Sequence, residues 1–269
     1  SLDNVYLMNS FKKEYVHCET NVVKEYERLA NKANFQFRNT YLYDNCFVDA
    51  VSGMQSSEEV KMAYININGL LKSNHFQCLQ HDWNLLASDI LVIAETMLPE
   101  NTSDDDIRLN DFDLVQRVHG MVMYKKTSMS AFDVHIVETP MYQIMTCDLP
   151  FGVVSFTYIH PTINAADRTD FFNHVKSISS FVALIGDLNI PWDQTMKTNR
   201  SFYETCNELC VVSTFHEVTH LKGNQLDYVL LKKDAGLPYL AGCFKNMYSD
   251  HKSVYLRIAT GENITTGSR

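Results

Sequence analysis

The sequence predicts an α/β fold in which two packed, mainly antiparallel β-sheets are flanked by helices. From residue 61 onward the chain reads as short, β-rich apolar runs separated by turns, with few helices between them. Strands and helices do not strictly alternate, which points to sheets stacked face to face and covered by helices. A chain of 269 residues with 45% hydrophobic and 20% charged side chains is long enough to bury such a core.

Residues 1–60 differ in texture. An apolar opening, NVYLMNSF, leads into a charged helical stretch, ETNVVKEYERLANKA, and then a polar segment ending in SGMQSSEEV. Thr20 or Asn21 would cap that helix, with Val22, Val23, Tyr26 and Leu29 on one stripe. This piece is too small to be a domain alone. Strands are then expected at KMAYIN, DILVIAE, DFDLVQ, GMVMYK, FDVHIVE, QIMTCDL, GVVSFTYI, FVALIGD, NQLDYVLL and KSVYLRI. Helices are expected near 74–87, where Phe76, Leu79, Trp83 and Leu86 recur at helical spacing, near 167–180 and near 199–209. Residues 61–260 form the expected domain, and 261–269 a flexible tail.

Charge and cysteine usage narrow the class. The formal net charge of −9 gives no general attraction to nucleic acid and disfavours a DNA-coating role. It does not exclude a nuclease, because a site that holds a divalent cation concentrates carboxylates and the cation supplies the positive field. Seven cysteines without a CxxC pair argue against a disulfide framework, and Cys206 and Cys210 are spaced for one helix face. No apolar run approaches a membrane-spanning length, and the first residues lack signal-peptide order. The expectation is a soluble protein of an intracellular reducing compartment, nuclear or cytoplasmic, not secreted and not membrane-bound.

The chemistry is written at the strand ends. GDLN at 186–189 follows the apolar run SFVALI, and taken alone it would be a turn, since Asp and Asn are turn formers. It is not alone. Asn66 and Asn68 end one strand, Glu95 another, Tyr158 and His160 a third; Asp227 opens a strand, and Asp250 and His251 precede the last. Phosphoryl transfer needs a metal on one or two carboxylates, a base or orienter for the attacking water, and donors around the phosphate. This set contains all of them.

The segments NING, AET, GDLN, LDY and SDH, in that order over about residues 61–260, resemble the endonuclease/exonuclease/phosphatase family. That family has a deoxyribonuclease I-like four-layer α/β sandwich and includes abasic-site endonucleases and the endonucleases of LINE-type retrotransposons. The resemblance implies a magnesium-dependent phosphodiesterase, with manganese as the alternative ion. It implies Glu95 and Asp250 as metal ligands, with Asn68 where some members carry a metal-associated aspartate. Asn66 would orient the catalytic aspartate. Asp187 would activate or position the water, and Asn189 would hold phosphate oxygens. His251 would face the scissile phosphate with Asp227 as its partner, and Tyr158 would donate to the phosphate. Thr219 and His220 resemble a substrate-contacting threonine motif, in which His220 replaces a frequent arginine. His160 is read as a surface-loop residue, and the glycine-rich motif of the retrotransposon branch is reduced to Gly120.

The family hydrolyses several kinds of phosphodiester, so the substrate has to be argued separately. The AET and SDHKSV forms look most like DNA-cutting mobile-element enzymes. The opening segment SLDNVYLMNSFKKEYVHCETNVVKEYERL is similar to the C-terminal end of Pif-type helicases, including those of Helitron-like elements. No GxxxxGK[ST] loop is present, so no ATPase is expected from this chain. The reading is a DNA endonuclease that nicks for a mobile element or a helicase-fused protein, with a helicase domain in cis. The alternatives are an inactive nuclease-fold binding module beside a helicase, or a phosphodiesterase acting on RNA or lipid head groups.

Overall fold

A computed structural model describes residues 59–192, 197–237, 239–246 and 248–260. The expected helix capped at Thr20 or Asn21, the rest of the helicase-like segment and the linker up to residue 58, and the expected tail at 261–269 lie outside the described residues.

The described chain forms β1 (Glu59–Asn66), α1 (His75–Leu79), α2 (Trp83–Leu86), β2 (Ile90–Ala94), β3 (Phe112–Val118), β4 (Met121–Lys126), β5 (Val134–Glu138) and β6 (Tyr142–Leu149). It continues with β7 (Gly152–Ile159), α3 (Ala165–Ser177), β8 (Phe181–Asp187), α4 (Lys197–Glu208), β9 (Val211–Ser213), β10 (Asp227–Lys232), β11 (Tyr239–Phe244) and β12 (Ser253–Ala259). Two six-stranded sheets result, ordered β11-β12-β1-β2-β4-β3 and β5-β6-β7-β8-β10-β9. Each has one parallel pair at its centre, β1 with β2 and β7 with β8, and antiparallel neighbours elsewhere. The parallel pairs arise where helices intervene, because a crossover must carry the chain back to the starting edge.

Period-two alternation assigns the layers. In β8, Ala183 and Ile185 enter the core between the sheets, whereas Leu184 packs outward under Phe171, Phe172 and Val175 of α3 and Phe202 of α4. In β10, Val229 and Leu231 face inward while Tyr228 and Leu230 join that outer layer. Leu79 of α1 and Leu85 of α2 are buried in the same core cluster as the first sheet. Both faces of β8 are therefore covered, which is why its run carries no charge before Asp187.

Three details differ from the sequence reading. The helix expected over 74–87 is two short helices, because the Asp82 side chain accepts the Asn84 and Leu85 backbone N–H groups at 3.1 and 3.2 Å and starts a new helix. Cys206 is buried on α4, but Cys210 lies past its end in a left-handed turn, so the two share no helix face. Strands β9 and β11 have no counterpart among the expected strands. Among the described residues no helix is long and apolar enough to cross a membrane.

Candidate active site

Backbone register lines up the first part of the site. Tyr158 of β7 is the partner of Asp187 on β8, and Asp187 is the partner of Asp227 on β10. Partners on adjacent strands project to the same face, so the three side chains form a row across the second sheet. β1 faces β8 across the sandwich, and Asn66 at its end donates from Nδ2 to Asp187 Oδ2 at 3.0 Å. One hydrogen bond thus ties the two sheets together at the proposed chemical centre.

Asp187 is fully buried. Its Oδ1 accepts the Asn189 backbone N–H at 2.9 Å, and its Oδ2 accepts the Asn189 amide at 3.4 Å in addition to that of Asn66. Burial first, and the nearby Asp227 charge second, push its pKa well above the usual carboxylate range; His251, Asn66 and Asn189 oppose that rise. Gly186 holds this stretch against β7. Its φ is +149°, and a Cβ there would lie 1.9 Å from the Thr157 carbonyl oxygen, so only glycine lets the strands approach. Asn189 Nδ2 also donates to Ile159 O at 2.6 Å, locking the GDLN turn to the end of β7.

His251 lies beside this row. Its Nδ1 is 2.8 Å from Asp227 Oδ2 and its Nε2 is 3.9 Å from Asp187 Oδ2. Burial disfavours the charged ring, but the Asp227 charge and hydrogen bond, helped by Asp187 and Asp250, carry its pKa up to about 9. The ring is therefore an imidazolium at neutral pH, with a proton on each nitrogen. Thr219 is buried, and its Oγ1 accepts the Leu226 and Asp227 backbone N–H groups at 2.9 and 3.1 Å, which anchors the start of β10.

The loop that carries Asp250 and His251 is held by Asn246 and Tyr248, which have no role in the sequence reading, and by the serine of SDH. Buried Asn246 accepts the Tyr248 and Ser249 N–H groups through Oδ1 at 3.1 and 2.7 Å, and donates from Nδ2 to His251 O at 2.7 Å. Ser249 Oγ donates to Asn66 O at 2.5 Å and accepts the His251 N–H at 3.1 Å. Tyr248 OH reaches Asp82 Oδ2 at 2.6 Å. An asparagine a few residues before SDH is a local loop-capping signal. The Tyr248 and Ser249 contacts span more than 160 residues and have no local signal.

Glu95 and Asn68 sit side by side at the ends of β2 and β1, where Gly69 N donates to Glu95 O at 2.7 Å. Both have left-handed backbone, φ 49° and 50°, as does Asn189 at 50°. Asparagine tolerates that conformation; for Glu95 it costs roughly 1–2 kcal/mol, a local strain of the kind that clusters at functional sites. Glu95 Oε1 accepts the Tyr158 hydroxyl at 2.7 Å, and burial together with that carboxylate pushes the phenol pKa upward. Asn68 Nδ2 donates to Asp250 Oδ1 at 3.3 Å, and His220 Nε2 lies 3.3 Å from Asp250 Oδ2. Burial raises the Asp250 pKa, but the His251 charge and the Asn68 amide outweigh it and hold the carboxyl below its ordinary value.

Two groups bring ligand atoms within 4.8 Å of one another, His220–Asp250–His251 and Asp187–Asp227–His251. Both include His251 and so mix a histidine nitrogen with carboxylate oxygens. Glu95, Asn68 and Asp250, expected from the sequence as the cation site, offer oxygen donors, the ligand type a hard cation such as magnesium takes. A groove of about 420 Å³ opens beside them, lined by Glu95, Tyr158, His119 and His160 among others. His160, read as a surface-loop residue, is thus part of the site's wall. A second hollow of about 280 Å³ flanks the other side at His220, Asp250 and His251.

No protein-family model matches the sequence, and no curated protein matches it at a significant level. Solved structures do match. An AP endonuclease from Archaeoglobus fulgidus superposes with a TM-score of 0.56 at 14% identity, over 73% of this chain and 98% of that one. The AP endonuclease LMAP from Leishmania major gives 0.55 at 15% identity, over 77% and 90%. The endonuclease domain of TRAS1, a telomere-specific non-LTR retrotransposon, gives 0.52 at 12%, over 74% and 98%. At these identities the likeness is one of fold, and the described chain has the deoxyribonuclease I-like fold of these nucleases.

Proposed function

We propose that this protein is a divalent-metal-dependent phosphodiesterase that nicks DNA. The observation that carries the reading is the convergence of Asp187, Asn66, Asp227 and His251 at one end of the sandwich. A proton acceptor with raised pKa lies there 3.9 Å from an imidazolium. Glu95, Asp250 and the Asn68 amide would hold the ion, magnesium or manganese, which when bound would neutralise phosphate charge and orient the ester.

The protein's own groups divide the remaining work. Asp187 takes a proton from a water as its oxygen bonds to phosphorus, and its raised pKa makes the ionised carboxylate a stronger acceptor. The Asn66 and Asn189 amides keep that carboxylate oriented. The P–O bond to the leaving nucleotide breaks as charge builds on the phosphoryl oxygens, and His251 donates to that charge. Asp227 fixes the ring's orientation and its charge. Tyr158 holds Glu95, and Thr219 holds the start of β10 rather than reaching toward substrate.

DNA is favoured over RNA or lipid head groups on two independent grounds. The solved structures that share the fold are AP endonucleases and the endonuclease domain of a retrotransposon, and residues 1–29 resemble the end of a DNA helicase. Asn68, neutral where an acid would bind a cation more tightly, is what favours a non-catalytic binding role. Nicking of supercoiled plasmid decides: wild type should nick only with magnesium or manganese, and Asp187→Ala and His251→Ala should not. Near-wild-type nicking by both folded variants would overturn the assignment. No metal binding together with no turnover on DNA, RNA or a phospholipid would favour the binding role.

A further inference from the structure

We infer that His160 is a second phosphate contact, holding a non-scissile phosphodiester of the substrate strand on the Glu95–Tyr158 side of the centre. The inference rests on the phosphodiesterase reading above and deepens it. His160 follows β7 two residues after Tyr158, and both side chains line the 420 Å³ groove. Its backbone is pinned at both ends: its N–H donates to Met141 O at 2.8 Å, and its carbonyl accepts the Ile163 N–H at 3.0 Å, closing a turn around Pro161. A side chain on such a frame is presented without further ordering cost.

Its ring is committed as well. Nδ1 accepts the Thr162 backbone N–H at 3.3 Å and lies 2.8 Å from Thr162 Oγ1. A nitrogen that accepts a backbone N–H carries no proton, so in the neutral ring the proton sits on Nε2. Among the described residues Nε2 has no partner. His160 therefore presents a donor and no acceptor, and it can read only acceptor groups of a ligand. Met97, Leu98 and Pro140 make part of the groove wall apolar, while Glu95, His119 and Gln143 add polar groups beside His160. On a nucleic acid strand whose scissile phosphate lies at Asp187 and His251, the acceptors that recur at every residue are the non-bridging phosphate oxygens. The structure thus assigns His160 to backbone positioning, not to base reading.

A chemical double-mutant cycle tests this. Oligonucleotides carrying a single uncharged methylphosphonate at successive positions around the cleavage site are compared on wild type, His160→Ala and His160→Gln. At one flanking position the methylphosphonate should raise the wild-type KM about tenfold, the loss expected for one charge-assisted hydrogen bond. His160→Ala should show that higher KM on unmodified DNA and no further penalty from the same methylphosphonate. His160→Gln, whose amide Nε2 can stand where the imidazole Nε2–H stands, should recover most of the affinity, whereas His160→Asn should not. Equal methylphosphonate penalties in wild type and His160→Ala at every position, or equal loss in the Ala and Gln variants, would overturn the inference. If wild type cleaves nothing, the phosphodiesterase reading fails on its own. The cycle is then read from oligonucleotide binding by fluorescence anisotropy, where the same ordering upholds the contact and its absence rejects it.

Discussion

Replacing Asp227 by Asn should discharge His251 at neutral pH. Asp227 Oδ2 accepts from His251 Nδ1 at 2.8 Å, and its charge is the strongest influence raising a ring that burial alone would push down. The rise from 6.5 to about 9 corresponds to roughly 3 kcal/mol of preference for the charged ring. Because the folded-state pKa lies above the unfolded one, that contribution to stability is complete below pH 6.5 and fades as pH climbs through 9. Asparagine keeps an acceptor for Nδ1–H but removes the charge, leaving only Asp187 and Asp250 to oppose burial, so the ring should titrate at or below about 7. NMR titration of the His251 ring in metal-free protein reads this directly. Nicking at pH 7.5 should fall by about a hundredfold or more, the loss expected when one preorganised donor to transition-state charge is removed. The wild-type stability loss between pH 6.5 and 9 should flatten in the variant. A His251 that still titrates near 9 in Asp227→Asn would show that this pair does not set its charge.

Gly186→Ala should destabilise the fold by more than about 3 kcal/mol in urea titration, since its Cβ would lie 1.9 Å from the Thr157 carbonyl oxygen at a φ of +149°; a loss under 1 kcal/mol would mean β7 and β8 separate easily. Glu95→Gln keeps an acceptor for the Tyr158 hydroxyl but removes a charge from the proposed cation site. It should therefore raise the magnesium concentration for half-maximal nicking about tenfold or more at unchanged melting temperature. An unaltered magnesium dependence would move the ion elsewhere.

Much of the architecture is local information. The apolar runs of β2 and β8 and the abrupt stop of each at a carboxylate are properties of a few consecutive residues, and they are readable because strand composition is local. Asp82 shows where local reading falls short: Phe76, Leu79, Trp83 and Leu86 keep helical spacing across a break made by one capping side chain. That cap is also buried against Tyr248, which no window of sequence contains. β11 escaped because Gly242 interrupts a short run at the sheet edge, where it pairs only with β12.

For the candidate site, sequence alone determined the cast: which acids, amides and histidine stand at strand ends, in an order that resembles one family. Tertiary structure decided their relations. Register set Tyr158, Asp187 and Asp227 in one row, packing of the two sheets brought Asn66 onto Asp187, and the fold of the last loop set His251 against Asp227. It also buried Thr219 as a brace and turned His160 toward the groove. The physical reason is that distance and burial, which set the pKa values of Asp187 and His251, arise only from contacts between segments far apart in the chain, whereas residue type and spacing are fixed before the chain folds.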